Sequence, residues 1–174
     1  MSEAQENFRR WFVEPLQRLN CEPHGGFAVL MIAFPILERF LREKSGVGEG
    51  AISEVFYDEF HRIFGCPDRG LVPRLWHAYR NGLLHQATFS KQNRRGTVMP
   101  NSFITSSVAL IDYDSTKDAF FVNPKGFSEK VIHAVENDFG VFGAASSASH
   151  PLSTVTSAAS AGVPYSSPGP TGVM

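Results

Sequence analysis

Cysteine is scarce in this 174-residue sequence, with only Cys21 and Cys66, far apart. Two thiols cannot build a disulfide framework or a sulfur-ligated metal site, and they suit a reducing, cytoplasmic setting. Polar aromatics are also few: 4 Tyr and 2 Trp stand against 15 Phe, so the aromatic side chains serve mainly to fill space. No apolar run is long enough to cross a bilayer. The longest, from Phe27 to Leu37, ends in Glu38 and Arg39 and reads as a buried helix, so no membrane association is expected. The N-terminus has no basic patch followed by an apolar segment, which argues against a secretory signal. Cys21, His24, His61, Cys66, His77 and His85 contain no pair at ligand spacing, so neither a metal nor another cofactor is expected. Acids are missing altogether between residues 69 and 111, and charged side chains are missing from 143 to 174.

What is present suffices for one folded domain. Hydrophobic residues make up 43% and aromatics 12%, enough for a core at this length. The net charge of -1 conceals an uneven distribution. Residues 1 to 68 carry 7 basic and 11 acidic side chains, and residues 112 to 174 carry 3 and 6. The acid-free segment between them holds Arg69, Arg74, Arg80, Lys91, Arg94 and Arg95. A basic island in an acidic chain is a footprint for a polyanion, or else six solvated cations that face different ways once the chain folds.

Apolar periodicity predicts a helix from Glu3 to Asn20 with Phe8, Trp11, Phe12, Leu16 and Leu19 inward and a kink at Pro15. Gly25-Gly26 breaks it. A second helix fits Phe27 to Lys44, kinked at Pro35, and a third fits Ala51 to Phe64 with Val55, Phe56, Phe60 and Ile63 on one face. A fourth starts near Leu71, tolerates Pro73 in its first turn and runs to about Gln86. The pattern then changes period: Ser102 to Asp112 and Ala119 to Val122 read as a β-hairpin. Asn123-Pro124 opens a fifth helix through Phe139. The fold class is therefore mainly α over residues 1–142, with a hairpin at about 102–122 before the last helix. Residues 143–174, rich in Ala, Ser, Gly, Pro and Thr, read as a flexible tail.

The fourth helix carries the chemistry. With Arg80 at zero and about 100° per residue, His77 falls near 60°, Asn81 near 100°, Arg74 near 120° and His85 near 140°. Trp76, Leu75, Tyr79 and Leu83 fall on the opposite side, where Trp76 and Tyr79 are core rather than base-stacking residues. One face is thus apolar, and the other is crowded with Arg, His and Asn, with no carboxylate to neutralise it.

Arg80, a polar Asn81, three further residues and then His85 form a motif that resembles the Arg, four-to-six residues, His signature of the HEPN superfamily, in which Asn, Asp or His typically follows the arginine. The resemblance implies an antiparallel helical bundle of about five helices, often a homodimer with two motif helices facing each other. It also implies a metal-independent endoribonuclease, although members that only bind nucleotides or partners exist. Such proteins often act as toxins, with an antitoxin or regulatory partner, or in defence.

The residues suit that chemistry on their own terms. RNA can cleave itself by attack of a 2′-hydroxyl on the adjacent phosphorus, so a protein need supply only proton transfer and charge stabilisation. The His85 imidazole suits the first task and the Arg80 guanidinium the second. Asn81 lies one turn before His85 and can orient it or hold a phosphate oxygen. Arg74, His77, Lys91, Arg94 and Arg95 are candidate RNA contacts. The opposing readings are an ordinary solvated helix face, or His85 as a structural histidine.

Overall fold

A computed structural model describes residues 1–48, 52–83, 98 and 100–142. The expectations for His85, Lys91, Arg94, Arg95 and the 143–174 segment lie outside these residues.

The described residues are mainly helical, with one small sheet. Helix α1 (Glu3–Phe8) opens on a capping box: Gln5 N–H donates to Ser2 Oγ at 3.3 Å and Ser2 N–H donates to Gln5 Oε1 at 2.7 Å. A π-helical turn (Arg9–Val13) leads into α2 (Glu14–Asn20), which carries Pro15 in its first turn. Proline has no N–H and its ring crowds the preceding turn, so the helix widens just before it. The widened turn repeats at i+5; Phe8 and Val13, five apart, are both buried, and Trp11 is 38% exposed, against the inward position expected from an unbroken helix.

The turn into α3 (Gly26–Ser45) requires glycine, because a Cβ on Gly25 would sit 2.0 Å from the Leu19 carbonyl oxygen. Helix α3 continues through Pro35 and packs against α2, α4 (Glu54–Phe64) and α6 (Pro124–Asn137). Both α3 and α4 end on a glycine in the left-handed region, Gly46 at φ 64° and Gly65 at φ 62°. The inward face of α4 is Phe56, Phe60 and Phe64 at i, i+4 spacing; Val55, expected inside, is 54% exposed. Helix α6 starts as its sequence predicts, with Asn123 Oδ1 accepting from Gly126 N–H at 3.1 Å and Pro124 in the first turn.

Among the described residues three strands, not a two-stranded hairpin alone, precede α6. They are β1 (Asn101–Ile104), β2 (Ile111–Asp114) and β3 (Ala119–Val122), in the order β1-β3-β2. Strands β2 and β3 form the antiparallel hairpin, with Ile111 opposite Val122. Its turn is tied by Asp114, whose carboxylate accepts from Thr116 Oγ1, from the Lys117 ammonium and from the Thr116 and Lys117 N–H groups; these bonds pull its pKa down to about 2. Strand β1 lies parallel to β3 on the other edge, with Asn101 opposite Ala119. The expected strand from Ser102 to Asp112 is thus two strands on opposite edges. Hydroxyl groups divert the chain between them: Ser107 N–H donates to Thr105 Oγ1 and Ala109 N–H to Ser107 Oγ, both at 3.1 Å. Such local bonds compete with ladder pairing.

Phe34 of α3 sits at the centre of the core, stacked on Phe127 of α6 at 4.8 Å between ring centroids and edge-on to Trp76 at 5.6 Å. Phe127 also stacks on Phe64 at 4.8 Å, so one ring ties α6 to both α3 and α4. No helix among the described residues is long and apolar enough to cross a membrane.

Candidate functional site

The motif helix begins at a 3-10 turn (Arg69–Leu71) capped by Asp68, whose Oδ1 accepts from Gly70 N–H at 2.8 Å. It continues as α5 (Val72–Trp76) and then as a second π-helical turn (His77–Asn81). The two-faced character read from the sequence holds. Leu75, Trp76, Ala78, Tyr79 and Leu83 are buried, whereas Arg74, His77, Arg80 and Asn81 are partly exposed. The structure brings Arg80, Asn81 and His77 together.

These polar groups form a hydrogen-bonded chain that starts on a neighbouring helix. Arg80 Nε donates to Glu38 Oε2 at 2.6 Å, and Arg80 Nη1 donates to Asn81 Oδ1 at 3.1 Å. The Asn81 amide nitrogen lies 3.0 Å from His77 Nδ1. Side chains one residue apart do not meet on a regular α-helix. In a π turn each residue advances less around the axis, and the Arg80 and Asn81 side chains do meet. Glu38 also accepts from Arg42 Nε at 3.0 Å, and Arg42 Nη1 reaches the Gly48 carbonyl at 2.7 Å. Glu38 is 9% exposed, so the carboxylate lies almost wholly inside, shared by two guanidinium groups.

Glu38 corrects the expectation of a face without a neutralising carboxylate. The basic island is countered by acids from outside it at each of its three described positions: Arg80 by Glu38, Arg74 by Asp118 through two bonds of 3.0 and 3.1 Å, and Arg69 by Asp58 and Glu54 at 2.6 Å each. Tyr113 of β2 donates to Asp118 Oδ1, one of the two oxygens that accept from Arg74. Sequence reasoning missed Glu38, Arg42, Asp118 and Tyr113 as parts of this surface. One signal was available for the first pair, since Glu38 and Arg42 stand at i, i+4 where the apolar run of α3 ends.

The sheet is fastened to the motif helix by Tyr79. Its hydroxyl donates to the Phe103 carbonyl at 2.8 Å or the Phe120 carbonyl at 3.1 Å, and accepts from Phe103 N–H at 3.1 Å. Tyr79 thus bridges β1 and β3, and burial pushes its hydroxyl pKa far above the ordinary tyrosine range. Tyr79→Phe is expected to lower stability by roughly 1–3 kcal/mol, because it strands buried backbone groups of two strands. Urea unfolding checks this, and an unchanged midpoint would show that the bonds contribute nothing net.

Beside the chain of polar groups lies an open depression of about 420 Å³, lined by Ile52, Tyr57, Pro73, Arg74, Trp76, His77 and Asn81. Among the described residues no group of three or more His, Cys, Asp or Glu side chains is placed to hold a metal ion. The chemistry available here is that of guanidinium, amide and imidazole: hydrogen-bond donation to an anion, and proton transfer. Comparison of the chain with protein-family models, with curated proteins and with solved structures found no match.

Proposed function

We propose that this chain is a HEPN-like, metal-independent endoribonuclease, with Arg80 stabilising the reacting phosphate, His85 transferring protons and Asn81 orienting them. The observation that carries the reading is the shared carboxylate. Glu38, almost wholly buried, accepts from both Arg42 and Arg80, which fixes the Arg80 guanidinium on the motif face. A guanidinium matches the oxygens of a phosphodiester with its planar fork. Glu38 and Asn81 hold the guanidinium on two sides. A donor fixed before substrate arrives costs little reorganisation during the reaction.

In the proposed reaction the 2′-oxygen bonds to phosphorus as the bond from phosphorus to the 5′-oxygen breaks. A base takes the 2′-hydroxyl proton and an acid protonates the departing 5′-oxygen, leaving a 2′,3′-cyclic phosphate and a 5′-hydroxyl. One motif supplies one His85. A two-fold homodimer would bring two into one cleft. Sedimentation at micromolar concentration is then expected to give twice the chain mass; a monomer that still cleaves RNA would sink the two-histidine cleft. The direct test of the reading is incubation of labelled RNAs with the protein in EDTA, with product ends identified. Absence of cutting across several RNAs rejects it.

A second reading is favoured by the ion pairs themselves. With Arg69, Arg74 and Arg80 each bound to acids of the same chain, the face has less charge to offer RNA than its sequence suggests. That suits a non-catalytic module that binds RNA, a nucleotide or a regulatory protein such as an antitoxin. RNA binding that weakens with salt, without cleavage, would select it.

A further inference from the structure

We propose that a depression of about 400 Å³ between α3, α4 and α6 is a binding site for a small anion that carries a terminal phosphate group. It shares no residue with the depression beside the motif helix, and it does not depend on the RNA-cleaving reading.

Three helices bring basic side chains to this one cavity. Lys44 comes from the last turn of α3, Arg62 from the last turn of α4, and Lys130 and His133 from the body of α6. Phe40, Ile63 and Ala134 add apolar lining, and Asp138 is the one carboxylate among the lining residues. A cleft whose charge is mainly of one sign, set in apolar walls, concentrates ions of the other sign. Its volume suits a small molecule.

Internal pairing answers only part of the charge. Lys44 Nζ donates to Asp138 Oδ2 at 2.7 Å, and Arg62 donates through Nε and Nη2 to Glu59 Oε2 at 3.1 and 2.7 Å. An ammonium and a guanidinium each have more N–H groups than these bonds use. Lys130, partly buried, makes no hydrogen bond or ion pair with the described residues. The positions one turn away on α6, Gly126, Phe127, His133 and Ala134, hold no acid. Helix ends account for Lys44 and Arg62, because cations there offset the last carbonyls. They do not account for the other two, since the last turn of α6 has no basic residue and Lys130 stands about two turns before it ends. A terminal phosphate brings about two negative charges and three diverging acceptor oxygens. Compact donors arriving from three helices can meet it from several sides.

The test titrates the full chain at fixed ionic strength with pyrophosphate, and with short oligoribonucleotides that carry either a 5′-phosphate or a 5′-hydroxyl. The methyl signals of Ile63 and Ala134 report occupancy. Pyrophosphate is expected to shift both saturably. Lys130→Met keeps the side-chain stem without the charge and should weaken binding roughly tenfold or more, the effect of losing one hydrogen bond to a charged group. His133→Gln should weaken it in the same direction and serves if Lys130→Met does not fold. Glu59→Gln releases Arg62 from its ion pair and should strengthen binding. Shifts with the 5′-phosphorylated oligonucleotide as well assign the site to an RNA end, and shifts with pyrophosphate alone assign it to a free small molecule; both support the site. Equal shifts with the 5′-hydroxyl oligonucleotide overturn the terminal phosphate. Shifts that do not saturate, or that survive unchanged in the Lys130 and His133 variants, overturn the site itself. None of these outcomes decides whether the chain cleaves RNA, so failure here is distinct from failure of the nuclease reading.

Discussion

Arg80→Ala and His85→Ala are each expected to lower cleavage of labelled RNA in EDTA by roughly two to four orders of magnitude, the usual worth of a positioned charge donor or proton-transfer group. Their effects on folding should differ. Removing Arg80 leaves Glu38, 11% exposed at its side chain, with Arg42 as its remaining charged partner among the bonds described above. The loss is expected to cost roughly 1–3 kcal/mol, since a charged hydrogen bond to a largely buried carboxylate disappears. The sequence alone, with Arg80 on a polar arc, implied a substitution almost neutral for stability. Activity should therefore be measured well below the variant's melting temperature. Arg80→Lys separates the two effects: it keeps the charge but has no planar fork to span Glu38 and Asn81, so activity should fall more than stability does. Full activity in a folded His85→Ala or Arg80→Ala protein would dismiss these residues as catalytic.

The largest expected effect on stability lies at Phe127. Its ring is fully buried and stacks at 4.8 Å on both Phe34 and Phe64, joining α6 to α3 and α4. Phe127→Ala removes that ring from the middle of three helices and is expected to cost about 3–5 kcal/mol, through lost transfer free energy and the cavity left behind. That is a large part of a small domain's total stability. Chemical denaturation followed by circular dichroism measures it. Phe103, 47% exposed and stacked on Phe121 at the sheet surface, is the control, and Phe103→Ala should cost well under half as much. Equal losses at the two sites would show that α6 is not held through Phe127.

Much of this molecule was legible in its sequence because local chemistry decided it. Asn123 and Pro124 start a helix wherever they stand before helix formers, since one supplies a cap and the other needs no N–H partner. The 3.6-residue period placed Tyr79 and Trp76 inside and Arg74, His77, Arg80 and Asn81 at the surface. At two other places the reading slipped. The π turn ahead of Pro15 turned Trp11 outward, and hydroxyl bonds around Ser107 split one expected strand into two.

The candidate site divides in the same way. Arg80, Asn81 and His85 stand out in sequence because they fall within six residues at a recognisable spacing, and local order is enough to relate them. Glu38 lies 42 residues from Arg80 in the chain, and Asp118 lies 44 from Arg74; no periodicity connects such pairs. Only the packing of α3 and of the sheet against the motif helix brings these carboxylates to the arginines. Once they are close and partly withdrawn from water, attraction between opposite charges decides which way each guanidinium is held. Sequence alone determined that a polar, cationic helix face exists. Tertiary structure decided how much of its charge is answered from within the chain.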